Sequence, residues 1–184
     1  TYVLTAETKP GYFTMYKDKK DRKRHSLKPL DTFIDNAKSV ETSMRSSQWA
    51  KTYVVCDKPS ADFPAEVGLP MELVPDKDPT QLKAGDTITF TIKNDGKEYD
   101  GNATWDATYG GFSTEAEDMY YPRTVIKGST FKVPVDKSGR WFVRVFTKND
   151  APEDMKEKYL TEKRTATITF LVRNERIRPK NDEH

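Results

Sequence analysis

Alternating apolar and polar residues dominate the second half of the chain and predict a series of β-strands. The clearest is 87–92, where Thr alternates with Ile, Phe and Ile, the period-two pattern of a strand with one buried face. Asn94-Asp95-Gly96 follows directly and supplies residues that tolerate positive φ, as a tight hairpin requires. The same pattern predicts strands at 71–74, 102–109, 130–135, 140–147 and 165–173, the last two paired antiparallel.

The first third of the chain has a more mixed pattern. Strands are predicted at 2–6 and 12–16, on either side of a Lys-Pro-Gly turn. Residues 35–50 lack Gly and Pro, and their apolar positions lie near helical spacing, so we predict one amphipathic helix that leads into a strand at 53–56. The chain opens in mid-strand without an initiator Met. We therefore expect a missing upstream segment that completes a sheet, and we expect residues 1–6 to pair within a sheet.

These elements together predict a mainly β protein. We expect an immunoglobulin-like antiparallel β-sandwich over residues 68–173, preceded by a smaller N-terminal α+β portion over 1–67 that contains the helix. The Pro-bearing segment 57–68 is the predicted connector between the two. A polar tail is expected at 174–184.

Charge and composition narrow the classes of function. The 184 residues include 31 basic and 29 acidic side chains, and this near balance argues against a dedicated nucleic-acid-binding protein. No apolar run approaches the length of a membrane span. The single cysteine, Cys56, excludes an intrachain disulfide and is predicted to be a small buried side chain in its strand. The basic run 17–25 is predicted to be a solvated hairpin tip or loop, with contact to a phosphate or an acidic partner as the alternative.

The strand and turn motifs resemble one known family. The segments GLPMELVP, LKAGDTITFTI, ATYGGFSTE, SGRWFVRV and TATITFLV, together with the opening TYVLTAETKPGYFTMY, are similar to the DUF4198 family. The resemblance spans residues 1–172 and is more specific for a fold than for a ligand. It implies a CbiK- or NikK-type periplasmic component of a cobalt or nickel uptake system, with Ni²⁺ or Co²⁺ as ligand and the membrane transporter subunits as partners.

Candidate metal ligands are few in this sequence. Imidazole suits Ni²⁺ and Co²⁺, but the two histidines, His25 and His184, are far apart, and His25 lies in the basic run. Leu69 stands where members of the resembled family often carry His, which removes one possible ligand. The carboxylates at 76–78, 95–100 and 115–118 are explained by turns and solvated loops, although oxygen ligands of this kind also suit Ca²⁺.

A carbohydrate-binding or cell-envelope adhesion module is the competing interpretation. Aromatic rings on one exposed face would stack on sugars, whereas the alternation in residues 102–109 favours the core for the same rings. The candidates flank a Gly-Gly loop and are Trp105, Tyr109, Phe112, Tyr120 and Tyr121. No nucleophile elbow, phosphate loop or metalloprotease motif occurs, so we expect a protein that is not an enzyme.

Overall fold

Residues 1–174 are described by the structure, a computed structural model, and within them the chain is mainly β and forms two sheets. The structure confirms eight predicted strands, at 2–6, 12–16, 71–74, 87–92, 102–109, 130–135, 140–147 and 165–173. Apart from Asn174, the predicted polar tail lies outside the described residues, and so does His184. The strands are β1 (Tyr2–Glu7), β2 (Gly11–Asp18), β3 (Lys23–Ser26), β4 (Ala37–Val54), β5 (Met71–Pro75), β6 (Asp86–Asn94), β7 (Lys97–Glu98), β8 (Asn102–Tyr109), β9 (Tyr121–Lys127), β10 (Thr130–Val135), β11 (Gly139–Asp150) and β12 (Thr161–Val172).

The larger sheet has the strand order β3-β2-β4-β12-β11-β8-β9, and the smaller has β10-β6-β5 with β7 paired to β6. β12 and β4 are parallel, while β11 pairs antiparallel with both β12 and β8. β1 pairs antiparallel with β4, from Tyr2 opposite Val54 to Glu7 opposite Trp49, so the expected pairing of residues 1–6 is confirmed. Four short 3₁₀ turns occur at Leu30–Thr32, Ile34–Asn36, Pro79–Gln81 and Glu153–Met155. Among residues 1–174 no helix is long and apolar enough to cross a membrane.

The hydrophobic core lies between the two sheets. The small sheet contributes the apolar positions of β6, and the large sheet contributes those of β11 and β12, as the alternation predicts. The β6–β7 hairpin turns at Asp95 and Gly96, which both have positive φ, as the sequence predicts for this turn. The largest fully buried apolar side chains are Trp141, Tyr159, Phe90, Met71, Leu73, Ile88, Ile92 and Ile168.

The predicted helix at 35–50 is wrong, because most of this segment belongs to the eighteen-residue strand β4. Val and several Ser and Thr residues lower its helix propensity and favour an extended chain. The sequence pattern does not predict this strand because several of its inward-facing residues are polar, so apolar and polar residues do not alternate along it. Ser43 and Lys51 both face inward and are buried with partners: Ser43 accepts a hydrogen bond from Thr14, and Lys51 pairs with Glu72.

Cys56 is exposed, so the prediction of a buried thiol is wrong. The strand predicted at 53–56 stops at Val54, and the carbonyl of Cys56 then accepts a hydrogen bond from the Lys58 amide in a turn. Three further strands, β3, β7 and β9, were not predicted. Each pairs with one neighbour only and carries charged residues, which is typical of edge strands and masks their alternation.

One part of the large sheet extends beyond the main core. We define the hairpin arm as β2, β3 and residues 37–46 of β4. Two loops contact it, since Phe33 packs on Tyr16 of β2 and the Leu160 amide donates to the carbonyl of Ser43. The two loops are joined to each other, because the Leu30 amide donates to the carbonyl of Lys158. Leu30 and Tyr159 are buried there but lie outside the main core cluster. The arm is therefore stabilised by a small interior of its own.

Candidate functional site

Aromatic side chains cluster at one end of the sandwich around Trp141, which is fully buried. Trp105 lies on the inner face of β8 and stacks on Phe131, with 4.9 Å between the ring centroids. Tyr121, the first residue of β9, lies against both tryptophans, 6.1 Å from Trp105 and 6.0 Å from Trp141. These rings fill the interior, and Trp105 has no exposed face on which a sugar could stack.

The cluster continues outward into the loop that joins β8 to β9 (residues 110–120). Tyr109 lies 5.5 Å from Trp141, and Tyr120 packs edge-on against Tyr109 at 5.2 Å. Phe112 lies outermost, 5.3 Å from Tyr120, with 37% of its surface exposed. The five aromatic residues thus grade from buried to exposed instead of forming one exposed row.

The β8–β9 loop is fixed at both ends. Its first amide, that of Gly110, donates to the carbonyl of Arg140 at 2.8 Å, and Gly111 adopts a positive φ that favours glycine. At the other end the Tyr120 hydroxyl donates to the Asp136 carboxylate at 2.7 Å. This hydrogen bond raises the pKa of Tyr120 to about 12. The loop is therefore anchored to the rest of the protein at both ends.

A groove of about 430 Å³ lies between this loop and the outer face of the large sheet. Phe142 of β11 is on the floor, in register with Thr108 of β8 and Thr169 of β12. Arg140 and Arg144 share this face, because alternate residues of a strand point to the same side. The loop supplies the opposite wall with Ser113, Glu115, Ala116, Asp118 and Met119. The volume is in the range that binds small molecules.

Asp106 orients one of the two groove arginines. Its carboxylate is completely buried and accepts two hydrogen bonds from Arg144, Nε to Oδ1 at 2.9 Å and Nη2 to Oδ2 at 2.5 Å. This bidentate contact raises the pKa of Arg144 above its ordinary value. Arg123 places its Nε 3.7 Å from Asp106 and also pairs with Glu117 of the loop. The Arg144 guanidinium is consequently held rigidly at the groove.

Arg140 differs from Arg144 because its side chain is exposed and has no hydrogen-bond or ion-pair partner among residues 1–174. It lines the groove together with Arg144, while Glu115 and Asp118 lie on the opposite wall. The groove thus combines the unpaired guanidinium of Arg140, the guanidinium of Arg144 held by Asp106, an apolar floor and an acidic rim. Such a surface can bind a small anionic molecule through charge-assisted hydrogen bonds.

A second polar cluster is buried inside the molecule and has a structural role. The Nζ of Lys51 lies 2.6 Å from Oε1 of Glu72, and both side chains are almost completely buried. Glu72 also accepts hydrogen bonds from the amides of Val67, Gly68 and Leu69, and burial lowers the pKa of Lys51. These contacts hold the connector before β5 against the sheet, and the hydrogen-bonding capacity of the carboxylate is used within the protein.

His25, the metal ligand suggested by the sequence, is exposed on β3 opposite Met15. Lys23 and Arg24 precede it on the strand, and their positive charge disfavours a cation there. Within residues 1–174 no group of three or more His, Cys, Asp or Glu residues is arranged to hold a metal ion. Cys56 lies in an exposed turn after β4.

The residues that line the groove floor were not singled out from the sequence, although a signal for them exists. Arg140, Phe142 and Arg144 alternate with buried Trp141 and Val143, so they must share the outer face of their strand. Their relation to Asp106 requires the register between β8 and β11, which a single strand does not contain.

The fold and the groove define a mainly β, two-sheet protein with a candidate small-molecule site on the outer face of its larger sheet. The chain belongs to the family described as Domain of unknown function (DUF4198), whose model matches residues 1–149. This range contains the groove arginines and the whole β8–β9 loop. No match was found among curated proteins or among solved structures.

Proposed function

We propose that this chain is a non-enzymatic accessory domain of a nickel or cobalt uptake system. In this role it acts in the periplasm, binds a small metal complex in the groove and presents it to a membrane transporter. Membership of the DUF4198 family supports the proposal, together with the resemblance of its strand motifs to components of such systems.

The groove chemistry favours a metal complex over a bare ion as ligand. The exposed, unpaired guanidinium of Arg140 is the observation that carries this choice, because a cation at the floor repels free Ni²⁺ and attracts the carboxylates of an anionic chelate. Arg144, fixed by Asp106, offers a second cation, and Phe142 with Met119 offers apolar contact. Glu115 and Asp118 on the rim are suitably placed to contact the metal side of such a complex.

Isothermal titration calorimetry with three probes tests the proposal: nickel citrate, free Ni²⁺ and metal-free citrate. We expect nickel citrate to bind most tightly. The Arg140→Gln variant should weaken it by at least about tenfold, since it removes a charge-assisted hydrogen bond. Lys132→Gln is the matched control, because Lys132 is an exposed cation on β10 outside the groove. Equal binding of metal-free citrate would contradict recognition of the metal. An unchanged affinity in Arg140→Gln would remove the groove as the site.

A carbohydrate-binding or cell-envelope adhesion module is a second candidate function. Phe112 favours it, because this exposed ring directly precedes Ser113 of the groove wall in the chain, and Ser113, Thr108 and Thr169 supply hydroxyl groups to the groove lining. A glycan array would detect such binding, and Phe112→Ala should then abolish it while leaving binding of nickel citrate intact. The reverse pattern, loss only in Arg140→Gln, supports the metal complex.

Two finer structural expectations also belong to this proposal. We propose that the two packed sheets form an immunoglobulin-like sandwich, which the antiparallel pairing of β11 with β8 and β12 supports. We also propose that an upstream segment completes the large sheet along β1, since among residues 1–174 β1 pairs only with β4. A longer chain that includes this segment should show slower amide exchange in Tyr2–Glu7.

A further inference from the structure

Positive charge is concentrated at the tip of the hairpin arm. Residues 17–28 contain seven Lys or Arg and two Asp, an excess of five positive charges. Because the whole chain carries +2, the rest of it carries −3. The basic run of the sequence is thus a local cationic surface on a molecule that is otherwise slightly acidic.

Both aspartates of this segment are used to shape the tip. Asp18 accepts hydrogen bonds from the amides of Lys20 and Arg22 and from the side chains of Arg22 and Arg24. Partial desolvation pushes the pKa of Asp18 upward, but these hydrogen bonds outweigh it and hold the pKa well below its ordinary value. Asp21 pairs with Lys38 at the start of β4, with Nζ and Oδ1 2.7 Å apart.

The remaining cations of the tip are lysines without partners. Their ammonium groups have no hydrogen bond or ion pair within residues 1–174, and the pairing of β2 with β3 places two of them side by side, Lys17 opposite Lys23. Like charges held next to each other gain free energy when a negatively charged surface neutralises them. The five lysines are Lys17, Lys19, Lys20, Lys23 and Lys28.

Exposed aliphatic side chains lie in the same segment and in the turn that follows it. Leu27 stands between Ser26 and Lys28 with 72% of its surface exposed, and Ile34 is 41% exposed. Of the aromatic rings near the basic run, Tyr16 and Phe33 pack on each other with centroids 4.8 Å apart. The basic segment and the turn after it therefore combine unpaired ammonium groups with exposed aliphatic side chains.

We propose that the tip of the hairpin arm docks on an anionic membrane surface. A bilayer with acidic headgroups presents the spread negative charge that lysines match as point charges, and its interface accommodates an exposed Leu. A nucleic acid would be bound by free arginines and stacked rings, but both arginines of the tip are engaged by Asp18. The chemistry left available fits the membrane better.

This surface is separate from the groove of the proposed function. Asp18 lies opposite Ala37 at one end of β4, whereas the groove residue Thr169 lies opposite Thr52 near the other end. Fifteen residues of extended chain separate these positions, which corresponds to about 50 Å. Docking through the tip would therefore leave the groove accessible, and either proposal can fail without the other.

Co-sedimentation with lipid vesicles tests the proposal. One set of vesicles is pure phosphatidylcholine, and in the other phosphatidylglycerol replaces a third of it. The triple variant Lys19→Gln, Lys20→Gln, Lys23→Gln removes three unpaired charges from the tip. The matched control, Lys97→Gln, Lys127→Gln, Lys132→Gln, removes three exposed lysines from β7, β9 and β10 and gives the same net charge.

We expect the wild-type chain to bind only the vesicles with phosphatidylglycerol, and to dissociate as the salt concentration rises. The tip variant should bind about 100-fold more weakly, since each basic residue near an anionic surface contributes about fivefold. The control variant should bind like the wild type. No sedimentation with anionic vesicles, or an equal loss in both triple variants, would overturn the proposal. Binding to polyglutamate or single-stranded DNA but not to vesicles would also overturn it.

A second variant keeps the test independent of folding. Leu27→Ser leaves every charge in place, and we expect a several-fold weaker partition with an unchanged dependence on salt, because only the apolar contact is lost. Circular dichroism should be identical for all variants, since the substituted side chains are exposed and without partners. An effect of Leu27→Ser equal on neutral and anionic vesicles would contradict docking driven by charge.

Discussion

The sandwich and the hairpin arm share the single strand β4 but are stabilised in different ways. In the half of β4 that belongs to the sandwich, Trp49 and Tyr53 face inward and join the main core. In the half that belongs to the arm, Ser43 occupies the equivalent inward position and accepts a hydrogen bond from Thr14 at 3.1 Å. The main core thus ends part of the way along β4, at the point where the inward-facing residues change from aromatic to hydroxyl side chains.

This difference has consequences for stability and for function. Apolar burial contributes roughly 25 cal/mol per Å², so the sandwich should dominate the free energy of unfolding. The arm packs against few buried apolar side chains, among them Leu30 of the loop between β3 and β4, and should open locally at lower free energy. An element of this kind can display charged residues on its surface because its interior does not depend on them.

The largest effect is expected from a truncation in the sandwich. Phe90 is fully buried and contacts Phe131 and Phe170, so Phe90→Ala should lower the free energy of unfolding by about 3–5 kcal/mol. Phe13→Ala in the arm is the matched control, because Phe13 is exposed, and should cost less than about 1 kcal/mol. Urea denaturation measures both. Similar losses for the two variants would contradict the unequal distribution of stability.

The buried ion pair should give the next largest effect. Glu72→Leu leaves Lys51 buried without its carboxylate and removes the acceptor of three amides, so we expect a loss of about 3 kcal/mol. The double variant Lys51→Met, Glu72→Leu removes both charges and should recover part of that loss. Urea denaturation of the two variants measures the difference. A double variant less stable than Glu72→Leu would show that Lys51 has another role.

The same comparison explains which parts of the fold could be predicted from sequence. Strands β6, β8, β10, β11 and β12 were predicted because their inward residues are mostly apolar and alternate with polar residues over much of each strand. β4 was mistaken for a helix because its inward residues include Ser43 and Lys51, whose partners Thr14 and Glu72 are distant in sequence. Buried polar residues whose hydrogen-bond or ion-pair partners are distant in sequence leave no pattern in the local sequence.

The candidate site, too, could be predicted only where the sequence pattern is local. Arg140, Phe142 and Arg144 alternate on a predicted strand, so their shared face was within reach of sequence reasoning. The groove itself was not, because it depends on the β8–β9 loop and on the register that brings Asp106 opposite Arg144. The aromatic residues were correctly grouped along the chain, but their depth in the sandwich depends on how the two sheets pack.

In the loop that packs beside the arm, the loss of a buried apolar side chain should act locally. Leu30 is 6% exposed and lies outside the main core cluster, so Leu30→Ala should cost about 2 kcal/mol. Hydrogen exchange measured by mass spectrometry should become faster in Gly11–Asp18 and Lys23–Ser26 while that of Gly139–Asp150 stays unchanged. Uniformly faster exchange in both regions would show that the arm and the sandwich unfold as one unit.

The smallest effect is expected at the tip of the arm, where one carboxylate shapes the hairpin. Asp18 has a lowered pKa, so the stability that it contributes is fully present above its ordinary pKa of 3.8 and is lost as the pH falls below that value. In Asp18→Asn the carboxylate contacts to Lys20 and Arg22 are weakened at every pH. The amide resonances of these two residues, followed by NMR from neutral to acidic pH, should shift in the wild type and stay nearly constant in the variant. A pH-dependent shift of the same size in the variant would assign it to another group. If instead only the wild type responds, and the resonances of the sandwich do not move, the tip titrates independently of the core.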